Sequence, residues 1–484
     1  MCVNTVTKIK TKDKLIKLST PMNYWSKSNS SKKNNEERQI VVGLDIGTSK
    51  VCAIIASRGP LGPEDIEVLG IGQVPSDGLS RGVVVNIERT VRSIEKAIEI
   101  AEQQSGVTIG KVTVGIAGDH IKTFTSRGVV TISNGERVVS KADVNRLLDD
   151  AKRLALGAER KIIHVVPQDF VIDGQDGIIE PIGMAGIRLE ANVNIITGMV
   201  NAIQNIDRCI ERVGLEVEEI VLEPIASSRA ILSEQEKEVG VALVDIGCGT
   251  TDVAVFEAGK LRYTSVIGIG GRMVTEDIRV GLGIISDQAE NVKKENGCAL
   301  ESMIINDDKF LIPSIGGRRA EEVSKKTLCS IIQPRMEEIL EFVGMELEKS
   351  GCYNKLSAGV VLTGGGAMMR GITELAESIL GVPVKIGIPS LGRRALAQQA
   401  ESPLYATAIG LVKTTFDKME YKYVQIENVF EHKKHETKNG VTTEFKKVEF
   451  RKIEPEKTKI FTPEDNGEPK ENIFIKMKKF FNEF

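Results

Sequence analysis

Residues Val241–Phe256 read VALVDIGCGTTDVAVF and place a polar, glycine-bearing segment between two apolar runs. The runs at residues 241–244 and 253–256 have the length and the β-branched content of buried strands. The segment between them begins and ends with an aspartate and carries two glycines and two threonines. This stretch therefore predicts a β-hairpin with a polar tip.

A second copy of this pattern lies two hundred residues earlier in the chain. The apolar run at residues 40–44 leads into Asp45-Ile46-Gly47-Thr48-Ser49-Lys50, and residues 51–56 are apolar again. Two hairpins with the same Asp-Ile-Gly tip indicate an internal duplication of one α/β lobe.

A third glycine segment follows a different order of elements. The apolar run at residues 359–362 enters Thr363-Gly364-Gly365-Gly366-Ala367, and a helical pattern begins at Ile372. A backbone without side chains can pass flat beneath an adenine or ribose.

These three segments fit a nucleotide triphosphate. Glycine lets backbone N–H groups approach phosphate, and threonine and serine add donors. An aspartate beside phosphate requires a hydrated divalent cation. A single Asp-Ile-Gly tip is also an ordinary turn, but two copies and a third loop favour ATP with Mg²⁺ held through water by Asp45 and Asp245. The predicted ligands are Asp45, Gly47, Thr48, Ser49, Lys50, Asp245, Gly247, Gly249, Thr250, Thr251, Gly364, Gly365, Gly366 and Met368.

The order of the three segments resembles the actin/Hsp70/sugar-kinase ATPase fold. Within that fold the chain most resembles FtsA, a family of actin-like bacterial cell-division proteins. The matching stretches are VVPQDFVIDGQDGI (165–178), VALVDIGCGTTDVAVF (241–256), GCAL (297–300), IPSIGGR (312–318) and VVLTGGGAMMRGI (360–372). The resemblance implies an α/β, actin-like two-lobed ATPase fold with a 1C subdomain in place of 1B.

The resemblance also implies a division of the chain. It comprises a disordered extension (1–38), subdomain 1A (39–85, 166–200 and a segment near 395–414), subdomain 1C (86–165), subdomain 2A (201–270 and 331–394), subdomain 2B (271–330), a flexible linker (415–471) and an amphipathic membrane-targeting helix (472–484). Two connecting helices are expected at residues 225–231 and 406–411.

Further site residues follow from the same resemblance. Glu223, just before a helix, would position an attacking water, although a carboxylate at a helix start has a structural explanation too. Glu290, Lys293 and Lys294 would contact the ribose and adenine, or simply form an exposed charged helix face. Arg318 and Arg319 would bind the acidic C-terminal peptide of the tubulin-like division protein FtsZ, or be solvated.

The end of the chain has the pattern of a membrane-surface helix. Ile473, Met477, Phe480, Phe481 and Phe484 recur at spacings of one helical face, with Phe474 at its edge and Lys478 and Lys479 elsewhere on the wheel. Such a helix is suited to lie on anionic lipid, and a filament bearing many copies would bind by avidity. A helix folded onto the protein's own core is the alternative.

Composition excludes several other classes. Aromatic residues make up 4% and the net charge is -3, which argues against nucleic-acid binding. The seven cysteines include no CxxC and predict reduced thiols without zinc. No apolar run reaches 18 residues, so no transmembrane span is expected.

The expected function is a peripheral protein at the cytoplasmic face of the membrane at midcell. There it would polymerise under the control of ATP, hydrolyse ATP slowly at most, and tether FtsZ filaments. Other division proteins would bind through subdomain 1C. Three alternatives are a pilus-assembly scaffold of the same fold, a sugar-kinase-type phosphotransferase and an Hsp70-type chaperone. The amphipathic tail disfavours the first two. The chaperone alternative is disfavoured because the sequence shows a linker and tail where a peptide-binding β-sandwich would be expected.

Overall fold

The computed structural model describes residues 39–59, 65–133, 135–153, 157–312, 321–391 and 395–419, and its two largest sheets share one topology. The first sheet contains β1 (Ile40–Ile46), β2 (Lys50–Arg58), β3 (Ile66–Pro75), β6 (Lys111–Ile116) and β11 (Glu216–Leu222). The other contains β12 (Val241–Ile246), β13 (Thr251–Glu257), β14 (Lys260–Ile267), β17 (Val360–Thr363) and β18 (Val384–Ile386).

In each sheet an antiparallel three-stranded meander continues into two parallel strands. The orders are β3-β2-β1-β6-β11 and β14-β13-β12-β17-β18. This equivalence confirms the lobe duplication that the two Asp-Ile-Gly hairpins predicted. We call the sheets and their covering helices lobe 1 and lobe 2.

A third sheet belongs to neither lobe and has the order β7-β10-β8-β9. Its strands are β7 (Lys122–Thr131), β8 (Arg160–Ile172), β9 (Gln175–Ile178) and β10 (Arg188–Met199). Two short hairpins complete the strands: β4 (Leu79–Ser80) with β5 (Val83–Val84), and β15 (Lys309–Ile312) with β16 (Glu321–Ser324).

The helices cover the sheets and connect the lobes. They are α1 (Ile87–Ser105), α2 (Lys141–Ala151), α3 (Val200–Arg212), α4 (Glu223–Ile231), α5 (Glu234–Val239), α6 (Gly271–Leu282), α7 (Ser286–Asn296), α8 (Lys325–Lys349), α9 (Ile372–Leu380) and α10 (Ala395–Ala400). Residues 406–419 form a further helix.

The range predicted for subdomain 1C, 86–165, differs from the range of the third sheet, which runs from Lys122 to Met199. Residues 87–116 supply α1 and β6 to lobe 1. The apolar face of α1 packs in the lobe 1 core, and β6 pairs in parallel with β1. Strand β8 runs through Pro167 to Ile172, and a register shift between Ala191 and Val193 of β10 accommodates the proline.

The two ends of α1 are determined by residues of the local sequence. The side chain of Asn86 accepts a hydrogen bond from the backbone N–H of Arg89, and Gly106 ends the helix with φ 69°. An N-cap of this kind is worth about 1 kcal/mol. Every fourth or third residue is apolar, so one face is buried against β2 and β3.

Two helices meet beneath the junction of the lobes, α4 and the helix of residues 406–419. They contain the two predicted connecting helices, residues 225–231 and 406–411. A Cβ on Gly410 would lie 1.8 Å from the carbonyl oxygen of Ala226, so the helix backbones touch at this glycine. This close crossing holds the start of α4 at the end of β6 and close to both Asp-Ile-Gly tips.

Candidate functional site: a cleft between two glycine loops

The tips of the two duplicated hairpins have the same hydrogen-bonded turn. The N–H of Gly47 donates to the carbonyl of Lys50, and the N–H of Gly247 donates to the carbonyl of Thr250, each at 2.9 Å. The tips abut, since a Cβ on Gly249 would lie 2.7 Å from Oγ1 of Thr48. The tertiary structure therefore brings the two sequence copies together at one place.

A cleft of about 1050 Å³ opens between the lobes at these tips. Its lining includes nearly all of the predicted residues: Asp45, Gly47, Thr48, Ser49, Lys50, Glu223, Asp245, Gly247, Gly249, Thr250, Glu290, Lys293, Lys294, Gly364, Gly365, Gly366 and Met368. Its volume is at the upper end of that of small-molecule sites.

Thr251 does not line the cleft. Its side chain is fully buried in β13, and its hydroxyl donates to the carbonyl of Ile269 at 2.8 Å. Side chains alternate between the two faces of a strand, so this residue turns away while Asp252 turns inward. The prediction of Thr251 as a ligand is therefore wrong, because its side chain points away from the cleft.

Four carboxylates surround the inner end of the cleft: Asp45, Glu223, Asp245 and Asp252. Burial raises the pKa of Asp245 to about 6, with the charge of Asp45 adding to the effect and a hydrogen bond from Ser227 opposing it. Burial and the neighbouring carboxylates also raise the pKa values of Glu223 and Asp252 well above their ordinary values. The buried carboxylates thus disfavour one another's ionised forms, and a cation bound at this end of the cleft would relieve that repulsion.

Lys50 supplies positive charge to this cluster. Its Nζ lies 2.5 Å from Oδ2 of Asp45, and both side chains are largely buried. Burial alone would lower the pKa of Lys50, but the negative charge of Asp45 and its neighbours outweighs it and holds that pKa above its ordinary value. The lysine is therefore a fixed cation at the tip of the first hairpin.

Hydrogen bonds fix one aspartate and leave another partly unpaired. The hydroxyl of Ser227 donates to Oδ2 of Asp245 at 3.0 Å and also lies 3.0 Å from Oγ1 of Thr407. In contrast, Oδ1 of Asp252 is buried without a hydrogen-bond partner among the described residues. An unpaired buried carboxylate oxygen facing a cleft is expected where a ligand, ion or water binds.

Asp252, Ser227 and Thr407 were absent from the residues predicted as ligands. The sequence could have indicated Asp252 as a site residue, because an acidic residue at the start of the apolar run of β13 stands opposite Asp245 in the hairpin. Ser227 and Thr407 are 180 residues apart and meet only through the crossing of two helices. No local pattern marks such a pair.

The third glycine loop closes the cleft against the second hairpin. Gly364 has φ 82°, and a Cβ there would lie 2.2 Å from Oδ1 of Asp245. The chain then forms a single turn at Gly366–Met368, and Met368 is 56% exposed at the mouth of the cleft. A side chain at position 364 would therefore displace the aspartate.

Helix α7 forms another wall of the cleft. Nζ of Lys293 donates to the carbonyl of Gly271 at 3.0 Å and to Oγ1 of Thr275 at 2.8 Å. Lys293 and Lys294 both form ion pairs with Glu290. Burial alone would raise the pKa of Glu290, but Lys293 outweighs this and lowers it. Glu290 and Lys293 are thus part of an ordered network, whereas the Lys294 side chain is 67% exposed.

Other predicted residues lie outside the described part of the chain. These are Arg318 and Arg319, the whole segment 472–484 with Ile473, Phe474, Met477, Lys478, Lys479, Phe480, Phe481 and Phe484, and the extension 1–38. Within the described ranges, no helix has the length and apolar character to cross a bilayer. The same ranges contain no group of three His, Cys, Asp or Glu residues arranged to hold a metal ion.

The duplicated lobes, the abutting hairpin tips and the third sheet inserted in lobe 1 define an actin-like protein with an inserted subdomain. The family model of the cell division protein FtsA matches residues 242–410, and the model of the SHS2 domain inserted in FtsA matches residues 118–197.

Curated relatives agree with these matches over most of the chain. Cell division protein FtsA of Pseudomonas aeruginosa is 46% identical over 374 residues, which is 77% of this chain and 88% of that protein. Cell division protein FtsA of Escherichia coli K12 is 38% identical over 383 residues, which is 78% of this chain and 90% of that protein. The chain belongs to the FtsA family of cell division proteins.

Among solved structures, the PilM-PilN type IV pilus biogenesis complex is similar with a TM-score of 0.57. The identity is 17%, and the match covers 78% of this chain and 99% of that chain. This likeness concerns the fold alone.

Proposed function

We propose that this chain binds ATP with Mg²⁺ in the cleft and uses the nucleotide to control assembly. The carboxylate cluster supports the cation, since its members repel one another and Oδ1 of Asp252 has no hydrogen-bond partner among the described residues. The glycine loops support the phosphates, because their backbone can approach an anion closely. This arrangement of acid and glycine at one end of a cleft is the observation that carries the proposal.

The residues have separate roles in this proposal. Asp45 and Asp245 would hold Mg²⁺ through water, and Lys50 would bind a phosphate oxygen. Mg²⁺ bound there would offset the negative charge of the phosphates. Glu223, with its raised pKa at the start of α4, would orient a water molecule for slow hydrolysis. The network of Glu290 and Lys293 would contact the ribose and adenine.

The biological role we propose is to tether FtsZ filaments to the membrane during septal ring assembly. Membership in the FtsA family supports a role in cell division. We propose filaments of this chain at the cytoplasmic face of the membrane, with residues 472–484 lying on anionic lipid. The FtsZ C-terminal peptide would bind subdomain 2B near Arg318 and Arg319, and other division proteins would bind subdomain 1C. The third sheet and the match to the inserted SHS2 domain support a 1C range of 118–197 in place of 86–165.

Membrane attachment can be tested with the full-length protein and a variant ending at Asn472. The full-length protein should cosediment with vesicles containing anionic lipid when ATP is present, and the truncated variant should stay in the supernatant. Both should bind a fluorescent ATP analogue equally. A truncated protein that still pellets with vesicles would refute the tail assignment.

A matched variant separates apolar insertion from charge. Replacing Phe480 and Phe481 with serine keeps the lysines but removes most aromatic surface from the proposed membrane face. Binding to anionic vesicles should fall at least tenfold in that variant.

Turnover of any sugar in a coupled kinase assay would instead favour the phosphotransferase alternative.

A further inference from the structure

The inserted subdomain contacts both lobes, and the two boundaries are built differently. The chain joins the subdomain to lobe 1, through residues 117–121 between β6 and β7 and through the junction of β10 with α3 at Met199. Strands β7 and β8 of the subdomain also lie against β14, the edge strand of the lobe 2 sheet. We call this contact with β14 and its neighbours the lobe 2 interface.

Side chains from three strands of the inserted subdomain donate hydrogen bonds to backbone carbonyl groups of β14. The donors and the residues whose carbonyl oxygens accept are Oγ1 of Thr123 to Thr264 (3.3 Å), Nδ2 of Asn194 to Arg262 (2.9 Å) and Nε2 of Gln168 to Leu261 (3.0 Å). An edge strand presents backbone groups that its own sheet leaves unpaired. Here the side chains of another subdomain satisfy them.

An ion-pair cluster centred on Asp169 of β8 adds to the lobe 2 interface. Its Oδ1 lies 2.9 Å from Nζ of Lys260, and its Oδ2 lies 2.8 Å from Nη1 of Arg262. The hydrogen bond from Arg262 holds the pKa of Asp169 below its usual range, with burial opposing this effect and Lys260 adding to it. Because both cationic side chains are largely buried, solvent screens these pairs less than it screens surface pairs.

Apolar packing continues across the same interface. Ile196 of β10 belongs to one buried cluster with Phe256 and Leu261 of lobe 2, and Val166 of β8 packs against that cluster. Ile196 is fully buried. The lobe 2 interface therefore combines packed apolar side chains with paired polar groups, as the interior of a single domain does.

The boundary with lobe 1 contains an open groove of about 890 Å³. It lies between β8 on one side and α3 and β11 on the other. Direct contacts also cross this boundary, since the N–H of Leu222 donates to Nε2 of His164 at 2.9 Å and Ile163 packs against the lobe 1 core. The groove is lined on the lobe 1 side by Asp207, Glu211, Glu216, Glu218 and Glu219. A hydrated groove with charged walls can change its width at a lower cost than a packed interface can.

The segments that cross from lobe 1 into the inserted subdomain have the features of a hinge. Gly118 has φ 135°, which glycine adopts easily. Arg160 ties the two crossings together, because its Nη2 donates to the carbonyl of His120 at 2.7 Å and its Nε donates to Oγ1 of Thr197 at 2.9 Å. Both ring nitrogens of the buried His120 lack a hydrogen-bond partner among the described residues. Short connections of this kind absorb the backbone rotation when domains move.

We infer that the inserted subdomain and lobe 2 move as one body, and that lobe 1 turns against both when a nucleotide closes the cleft. This inference rests on the proposed binding of ATP. The first crossing begins at Ala117, which lines the cleft, so a movement of the cleft walls acts directly on the hinge. Closure then changes the width of the groove between β8 and β11, whereas the lobe 2 interface stays intact. The nucleotide state thereby alters a surface that does not itself touch the nucleotide.

The test is fluorescence energy transfer in the full-length protein, at a concentration too low for transfer between molecules, with and without Mg²⁺ and a non-cleavable ATP analogue. Dyes are attached through non-canonical residues at three exposed positions, so the native cysteines stay unlabelled. The positions are Asn145 on α2 of the inserted subdomain, Lys96 on α1 of lobe 1 and Glu341 on α8 of lobe 2. The analogue should change transfer from Lys96 to either other position and leave transfer between Asn145 and Glu341 constant.

A double variant that removes the side chains of Gln168 and Asp169 should uncouple the inserted subdomain from lobe 2. With both residues replaced by alanine, Lys260 and Arg262 lose their carboxylate partner. Transfer between Asn145 and Glu341 should then respond to the analogue, and the response between Asn145 and Lys96 should fall at least twofold. Affinity for the analogue should stay within about threefold, since neither residue lines the cleft. Asp176→Ala, at an exposed position on β9 of the same subdomain, is the matched control and should behave as wild type.

The possible outcomes separate this inference from the proposed function. If the analogue changes transfer between Asn145 and Glu341 in the wild-type protein, the subdomain follows lobe 1 or moves alone, and the inference is overturned. Binding of the analogue with constant transfer in all three pairs, or a double variant that responds as wild type does, also overturns it. If the wild-type protein does not bind the analogue, the proposed function itself is wrong.

Discussion

Asp245→Asn should stabilise the nucleotide-free protein while weakening its proposed ligand. Asp245 is buried beside three other carboxylates, and its ionised form raises the free energy of the folded state. Asparagine removes the charge, and its side-chain oxygen can still accept the hydrogen bond from Ser227. The variant should therefore remove repulsion without opening a cavity.

The size of the effect follows from the pKa. Burial raises the pKa of Asp245 from 3.8 to about 6. Because each unit is worth about 1.4 kcal/mol, the ionised side chain costs the folded state about 3 kcal/mol at neutral pH. Since asparagine is itself polar and buried, we expect the free energy of unfolding to rise by roughly 1–3 kcal/mol at pH 7.

The pH dependence has a definite sign. Between pH 3.8 and about pH 6 the folded protein holds a proton on Asp245 that the unfolded chain has released. Stability therefore falls as pH rises through this window and levels off above it. In Asp245→Asn this contribution should be absent, so the difference between variant and wild type should grow from pH 4 to pH 7.

Urea denaturation of the nucleotide-free protein at several pH values measures both effects. Asp149→Asn, an exposed aspartate on α2, is the control and should change stability by less than about 0.5 kcal/mol. With Mg²⁺ and ATP present, the wild-type protein should become more stable than Asp245→Asn. The variant loses a proposed cation ligand and should bind Mg²⁺ and ATP at least tenfold more weakly. A variant no more stable than wild type at pH 7, or one with an unchanged pH profile, would refute the electrostatic reasoning.

Three further variants probe other parts of the cleft. Lys50→Ala leaves Asp45 unpaired in a buried site and should cost about 3 kcal/mol in urea denaturation, with weaker binding of a fluorescent ATP analogue; wild-type stability would contradict this. Glu223→Gln should bind ATP normally but release phosphate at least tenfold more slowly, and an unchanged rate would exclude a role in positioning water. Gly364→Ala places a Cβ against Asp245 in a left-handed backbone, so it should lose about 1–3 kcal/mol of stability together with nucleotide binding, whereas Gly351→Ala, at an open left-handed position, should affect stability alone.

Local sequence was sufficient for the hairpins and for most of the cleft lining. Each Asp-Ile-Gly tip lies between apolar runs with the length and β-branched content of buried strands, and the residues of the turn lie within six to eight positions of one another. The same holds for α7 (Ser286–Asn296), which contains the charged helix face predicted at Glu290, Lys293 and Lys294. Family resemblance then added Glu223, which no spacing rule would have selected.

The range of the inserted subdomain is not fixed by local sequence. Residues 87–116 have the pattern of any α/β segment, and their assignment depends on which sheet they join. The packing of α1 on β2 and β3 and the parallel pairing of β6 with β1 place them in lobe 1. Periodicity reports which face of an element is buried but not against which partner.

The sequence by itself determined the duplicated lobes, the three glycine loops and the amphipathic pattern of the last residues, because each depends on neighbours within a short stretch of chain. The tertiary structure decided how the loops meet. It set Gly249 against Thr48, left one oxygen of Asp252 without a hydrogen-bond partner among the described residues, and turned Thr251 away from the cleft. These features arise from contacts between residues that are far apart in the chain, and the physical reason is that burial and charge at a site are properties of the assembled lobes.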